Sequence, residues 1–77
     1  MPKVLEINGF VFFFYSQEGN EPPHIHIRKA ENTAKFWLRP IVLVENHGFS
    51  SSQMQFITKT INENSKLLLD AWDEFFS

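Results

Sequence analysis

The stretch Glu21-Pro22-Pro23-His24-Ile25-His26-Ile27 constrains this chain more than any other part of it. Two consecutive prolines fix two φ angles and remove two backbone donors, so they fit neither a helix interior nor a central strand ladder. The residue before each proline is pushed into an extended conformation. The segment is therefore a stiff, extended lead-in. Beyond it, His24 and His26 alternate with Ile25 and Ile27. Side chains on a strand alternate between faces, so both isoleucines point one way and both imidazoles the other. With the isoleucines toward a core, the histidines lie side by side on the opposite face, at the mouth of a rigid turn.

The chain ahead of this stretch reads as one hairpin. Val4-Leu5-Glu6-Ile7 and Phe10-Val11-Phe12-Phe13-Phe14-Tyr15 flank Asn8-Gly9, and a type I′ turn needs φ > 0 at both central residues. The implied pairs are Ile7 with Phe10, Leu5 with Phe12 and Val4 with Phe13. The second strand is apolar on both faces, which suggests a central, covered strand. Residues 16–20 are polar, contain Gly19, and read as a loop.

After the prolines, a third strand over about residues 24–29 turns at Ala30-Glu31-Asn32 and returns through Thr33-Ala34-Lys35-Phe36-Trp37-Leu38. Ala34, Phe36 and Leu38 share one face; Lys35, Trp37 and Arg39 share the other. Apolar faces must match, because a slip by one residue would bury the charges. This places Lys35, Trp37 and Arg39 beside His24, His26 and Arg28. A two-residue turn at Glu31-Asn32 would set His26 opposite Trp37 and His24 opposite Arg39. Pro40 ends that strand, Ile41-Val42-Leu43-Val44 is a short apolar strand, and Asn46-His47-Gly48 is a loop.

A helix then begins. Ser50 as N-cap with Gln53 three residues on makes a capping box, and Phe49 with Met54 fits a hydrophobic staple. Met54, Ile57, Ile61, Leu68, Trp72 and Phe75 recur at helical spacing as the core stripe. The helix would span about 26 residues, roughly 39 Å, with a weak middle at Asn62-Glu63-Asn64-Ser65. The fold class is α+β: an antiparallel meander of four to five strands with one long C-terminal helix packed on one face. Residues 1–77 form a single domain, 1–49 the meander and 50–77 the helix. Ile25, Ile27, Phe36, Leu38, Ile57, Ile61 and Trp72 are expected to be buried together.

Composition narrows the function classes. A chain of 77 residues buries a modest fraction of its surface, so nine Phe, two Trp and one Tyr must supply much of the core. The absence of cysteine removes disulfides and thiolate metal sites and fits a reducing, cytoplasmic setting. No apolar run is long enough to span a bilayer, so no membrane role is expected. The formal net charge of −2 argues against strong non-specific nucleic-acid binding, and the deficit lies in residues 51–77.

Several segments resemble the bacterial domain-of-unknown-function family 4160. They are the opening hairpin, Glu21-Pro22-Pro23-His24-Ile25-His26, Lys35-Phe36-Trp37-Leu38-Arg39-Pro40, Asn46-His47-Gly48-Phe49, and Leu69-Asp70-Ala71-Trp72-Asp73-Glu74-Phe75-Phe76. They occur in the family's order and span nearly the whole chain. The resemblance implies a small cytosolic protein encoded beside another small protein, an arrangement that looks like a toxin–antitoxin pair. The family often has an Asp-His pair before the prolines; this chain has Glu18-Gly19-Asn20 there.

The site admits three readings. As a binding face, Arg28, Lys35, Trp37 and Arg39 would engage the adjacent-gene small protein, or RNA by base stacking and phosphate contacts. As a catalytic site, His24 or His26 would act as general acid or base in an RNA-cleaving toxin, with the cations holding phosphate. As a structural unit, the histidines order the proline turn, and the Trp72-Phe75-Phe76 cluster is core or a homodimer contact. A metal would need three or four ligands. His24 and His26 supply two, with Glu18, Glu21 and His47 as loop candidates, so no metal and no cofactor are expected from sequence. No phosphate loop, nucleophile elbow or paired-carboxylate site is visible.

Overall fold

The computed structural model describes residues 3–76. Its five strands are β1 (Lys3–Ile7), β2 (Phe10–Phe13), β3 (His24–Lys29), β4 (Asn32–Leu38) and β5 (Ile41–His47), joined to helices α1 (Ser51–Glu63) and α2 (Ser65–Phe76). The strands form one antiparallel sheet in sequence order, β1-β2-β3-β4-β5. The α+β meander expected from sequence is therefore what the chain adopts.

Local chemistry accounts for the connections. Asn8 and Gly9 take φ of 52° and 81°, as a type I′ hairpin requires. Ile7 pairs with Phe10 and Leu5 with Phe12, but Phe13 pairs with Lys3, because Val4 is an extra residue in β1. The expected Val4–Phe13 pair is thus displaced by a bulge. The β3–β4 turn falls on Ala30-Glu31, with Ala30 at φ 55°, one residue earlier than expected. His24 consequently pairs with Trp37 and His26 with Lys35, rather than Arg39 and Trp37. Nothing in the sequence marks Ala30 as left-handed, since alanine seldom adopts φ > 0. The β4–β5 turn is Arg39-Pro40, whose peptide bond is cis, and Leu38 pairs directly with Ile41. β5 runs past its apolar residues through Glu45, Asn46 and His47, where Asn46 and His47 were expected in a loop.

Ser50 caps α1 with the full reciprocal capping box. The expected single helix is divided at Asn64, with φ −117° and ψ 19°. The Asn64 side-chain amide donates to the Thr60 carbonyl at 2.8 Å. Its backbone N–H reaches both Thr60 and Ile61 carbonyls, a tightened last turn typical of a helix end.

Both helices cover one face of the sheet. Ile25, Ile27, Phe36, Leu38, Ile57, Ile61 and Trp72 are all buried, as expected, together with Phe10, Phe12, Phe14, Ala34, Phe49 and Leu68. Phe75 departs from the expected stripe: it is 45% exposed, while Phe76 packs against the core. The sheet's other face has no second layer among the described residues. Phe13 is nonetheless buried there, covered by the Tyr15 and His26 rings and by the Arg28 guanidinium.

Candidate functional site

The uncovered face is built from the outward residues of β2, β3, β4 and β5, plus the loop joining β2 to β3. Cross-strand pairing aligns Phe13, His26, Lys35 and Glu45 in one row, and His24, Trp37 and Val42 in the next. The strand alternation fixes these rows, because Ile25, Ile27, Ala34 and Phe36 occupy the core side of the same strands.

The loop lies back over this face. Two successive turns, Glu18 N–H to the Tyr15 carbonyl and Glu21 N–H to the Glu18 carbonyl, place Glu18 at their junction. Gly19 then passes directly against Phe76: a Cβ there would stand 2.6 Å from the ring, so only glycine allows this approach. The diproline segment comes next. It forgoes its own donors but still contributes an acceptor, since Leu38 N–H donates to the Pro23 carbonyl at 3.0 Å and lengthens the β3–β4 ladder. The result delivers His24 into β3 with its backbone fixed.

Glu18 Oε1 is the focus of the site. It lies 2.9 Å from His24 Nε2 and 2.8 Å from His26 Nε2, and the Tyr15 backbone N–H donates to it at 3.4 Å. His24 Nδ1 lies 3.0 Å from the Pro22 carbonyl oxygen and 4.0 Å from Glu21 Oε1. A carbonyl only accepts, so Nδ1 of His24 carries a proton. The His24 side chain is fully buried, whereas those of His26 and Glu18 keep 16% and 19% exposure. Trp72 packs on His24 with ring centroids 4.8 Å apart, and the Trp37 ring stands edge-on at 5.8 Å.

The electrostatics are those of a partly buried cluster. Burial by itself would raise the Glu18 carboxyl, but hydrogen bonds from the two imidazoles and their charges outweigh it and hold the carboxyl below its usual range. Burial lowers His26, more than the Glu18 hydrogen bond and charge raise it, and neighbouring His24 and Lys35 push the same way. The two shifts belong to one coupled cluster: the imidazoles hold Glu18 down, and Glu18 in turn opposes the lowering of His26.

The residues expected at the site are not all brought together. His24, His26, Arg28, Lys35 and Trp37 share the face. Arg39 sits in the β4–β5 turn, its guanidinium 4.0 Å from Asp73 of α2, because the shifted turn moves it past the strand end. Lys35 donates to Glu21 at 2.8 Å and stands over the Trp37 ring at 4.8 Å. His47 pairs with Glu45 at 3.0 Å and does not join the other histidines. Of the loop carboxylates, Glu18 reaches both imidazoles and Glu21 is taken by Lys35. Among the described residues, Glu18, His24 and His26 form a cluster of metal-ligand type, with their donor atoms within 4.8 Å of one another. Sequence reasoning missed Val42, which is 47% exposed beside Trp37; its strand was legible but its face was not.

No helix among the described residues is long and apolar enough to cross a membrane. No curated protein and no solved structure matches the chain. Residues 9–73, which include every residue of the Glu18–His24–His26 cluster and the strand rows around it, match the model of the family described as Domain of unknown function (DUF4160), and the chain belongs to that family.

Proposed function

We propose that this protein is the binding component of a bacterial, toxin–antitoxin-like two-gene module, engaging its neighbour's small protein product through the uncovered sheet face. The observation that carries this reading is the pairing of partly exposed Trp37 with exposed Val42 on a face that no second layer covers among the described residues. Aromatic residues in such settings anchor protein partners, and here the anchor is rimmed by Lys35, Glu45 and His47.

The cations on the face favour a protein partner over RNA. Lys35 is paired with Glu21 and the Arg28 guanidinium lies over the Phe13 ring, so phosphate contacts would first have to break internal ones, and Arg39 lies off the face in the β4–β5 turn, opposite Asp73. The RNA-cleaving alternative narrows to one residue. His24 has no exposed surface and both its ring nitrogens are engaged, which leaves only His26 able to meet a substrate.

Co-expression with the adjacent gene, with affinity purification of the product, tests the proposal. A stoichiometric complex is expected, weakened at least tenfold by Trp37→Ala and by Val42→Glu. His26→Ala should leave binding largely intact. Growth arrest on expression alone, abolished by His26→Ala and relieved by the neighbour, would replace this reading with the toxin.

A further inference from the structure

We infer that Glu18, His24 and His26 form a binding site for a divalent first-row transition metal ion, with Nε2 of both histidines and the Glu18 carboxylate as its protein ligands. This inference is independent of the partner-binding reading.

The placement of the His24 ring carries the inference. Its Nδ1 faces the Pro22 carbonyl at 3.0 Å and must hold a proton. A neutral imidazole then presents a bare lone pair at Nε2. That lone pair points at Glu18 Oε1 from 2.9 Å, an arrangement of two acceptors. Either a proton, shared as the His24–Glu18 hydrogen bond, or a metal ion lies between them. The His24 ring has no exposed surface and is walled by Trp37 and Trp72, so its Nε2 cannot turn to water for a partner and stays aimed at Glu18. A metal ion removes the conflict with the ring neutral, which is the form in which histidine ligates.

The remaining features are those of a prepared metal site. The N–H of a ligating histidine is ordinarily held by a carbonyl or carboxylate that fixes its tautomer and ring orientation; the Pro22 carbonyl does this for His24. Both histidines are anchored in β3, hydrogen-bonded on both sides to β2 and β4, so little side-chain freedom has to be lost on binding. The three donor atoms lie within 4.8 Å of one another, whereas donors around a tetrahedral ion with bonds of about 2.0–2.1 Å stand roughly 3.3 Å apart. Glu18 Oε1 already stands 2.9 and 2.8 Å from the two Nε2 atoms, inside that spacing, so an ion would draw the imidazoles together and displace the carboxylate outward. The partial exposure of His26 and Glu18 gives an ion a route in and leaves its fourth position to solvent. Two imidazoles with a carboxylate select zinc, iron, nickel or copper over magnesium and calcium.

The test titrates chelator-treated protein with Zn2+ by calorimetry, and with Co2+ by visible absorption. One ion per chain is expected, with micromolar or tighter affinity, d–d bands of a tetrahedral Co2+ site, and perturbed 15N resonances at Nε2 of His24 and His26 on adding Zn2+. Glu18→Gln and His26→Ala should each weaken Zn2+ binding at least tenfold, while His47→Ala, which removes the separate exposed His47–Glu45 pair, should not. Circular dichroism checks that the variants fold. If His26→Ala does not, Glu18→Gln and the wild-type 15N shifts decide. Only weak, non-stoichiometric Zn2+ binding to the wild type would overturn the assignment and leave the cluster as a protonated loop latch. So would undiminished binding by Glu18→Gln, or loss of binding on His47→Ala alone.

Discussion

Glu18 Oε1 meets two imidazole nitrogens and one backbone N–H, and this convergence is only half legible in the sequence. The alternation of His24 and His26 with Ile25 and Ile27 is a local property, and the strand keeps it. Which loop carboxylate reaches them is not local: Glu18 and Glu21 are equally eligible until two turns and the Gly19–Phe76 contact set the path of the loop. Glu45 offers a cleaner case of one residue acting on one other. Its carboxyl lies below the usual range, chiefly through the hydrogen bond from His47 Nε2–H, opposed by desolvation and helped by the charges on His47, Lys35 and His26. A depressed carboxyl stabilises the fold above its ordinary pKa, and that contribution is lost as pH falls through the depressed value. Because the pair is exposed, salt screens it and the stability involved is small. His47→Ala should move the Glu45 midpoint upward toward the ordinary carboxylate value in an NMR pH titration. An unmoved midpoint would assign the shift to Lys35 and His26 instead.

Elements are legible where a side chain signals its own backbone. Asn8-Gly9 and Ser50-x-x-Gln53 are such signals, and both give the turn and the helix start that they imply. The β3–β4 register is not legible, because Ala30 adopts φ 55° without the glycine or asparagine that usually marks it. β5 outruns its apolar run because strand pairing with Thr33, Ala34 and Lys35 carries Glu45, Asn46 and His47 along, overriding their loop-like composition. The helix division at Asn64 is foreshadowed by the polar run there, but its cause is specific: the Asn64 side chain bonds the Thr60 carbonyl, competing with the helix backbone. At the other end of α1, Ser50→Ala removes the acceptor for Gln53 N–H. It should cost about 1 kcal/mol in urea unfolding, and Ser50→Asp should restore most of it. A loss of under about 0.3 kcal/mol would mean that Phe49 packing, not the cap, sets where α1 starts.

At the scale of the whole molecule, the helices cover one sheet face but their last turn serves both. Trp72 is 5% exposed and touches Phe14 with ring centroids at 5.2 Å, His24 at 4.8 Å and Phe76 at 4.1 Å. It therefore joins the core to the end of β3 from which the site is built. Phe75, in the next turn of α2, is 45% exposed and sits at the rim of the same aromatic group. Area removed from water, not ring size, should then decide their effects. Trp72→Ala should cost about 3–5 kcal/mol, and Phe75→Ala about 1 kcal/mol or less. The two variants should also differ at a distance. Losing Trp72 removes the wall behind His24 and the neighbour that holds Phe76 over Gly19, so the loop bearing Glu18 should exchange its amides faster, beyond what global destabilisation explains. Phe75→Ala should leave those amides at wild-type protection. Hydrogen exchange across residues 15–23, measured in both variants under conditions where each is folded, separates the outcomes. Equal protection of that loop in the two would show that the site is held by Glu18 and the diproline alone, with the helix contributing only to the core.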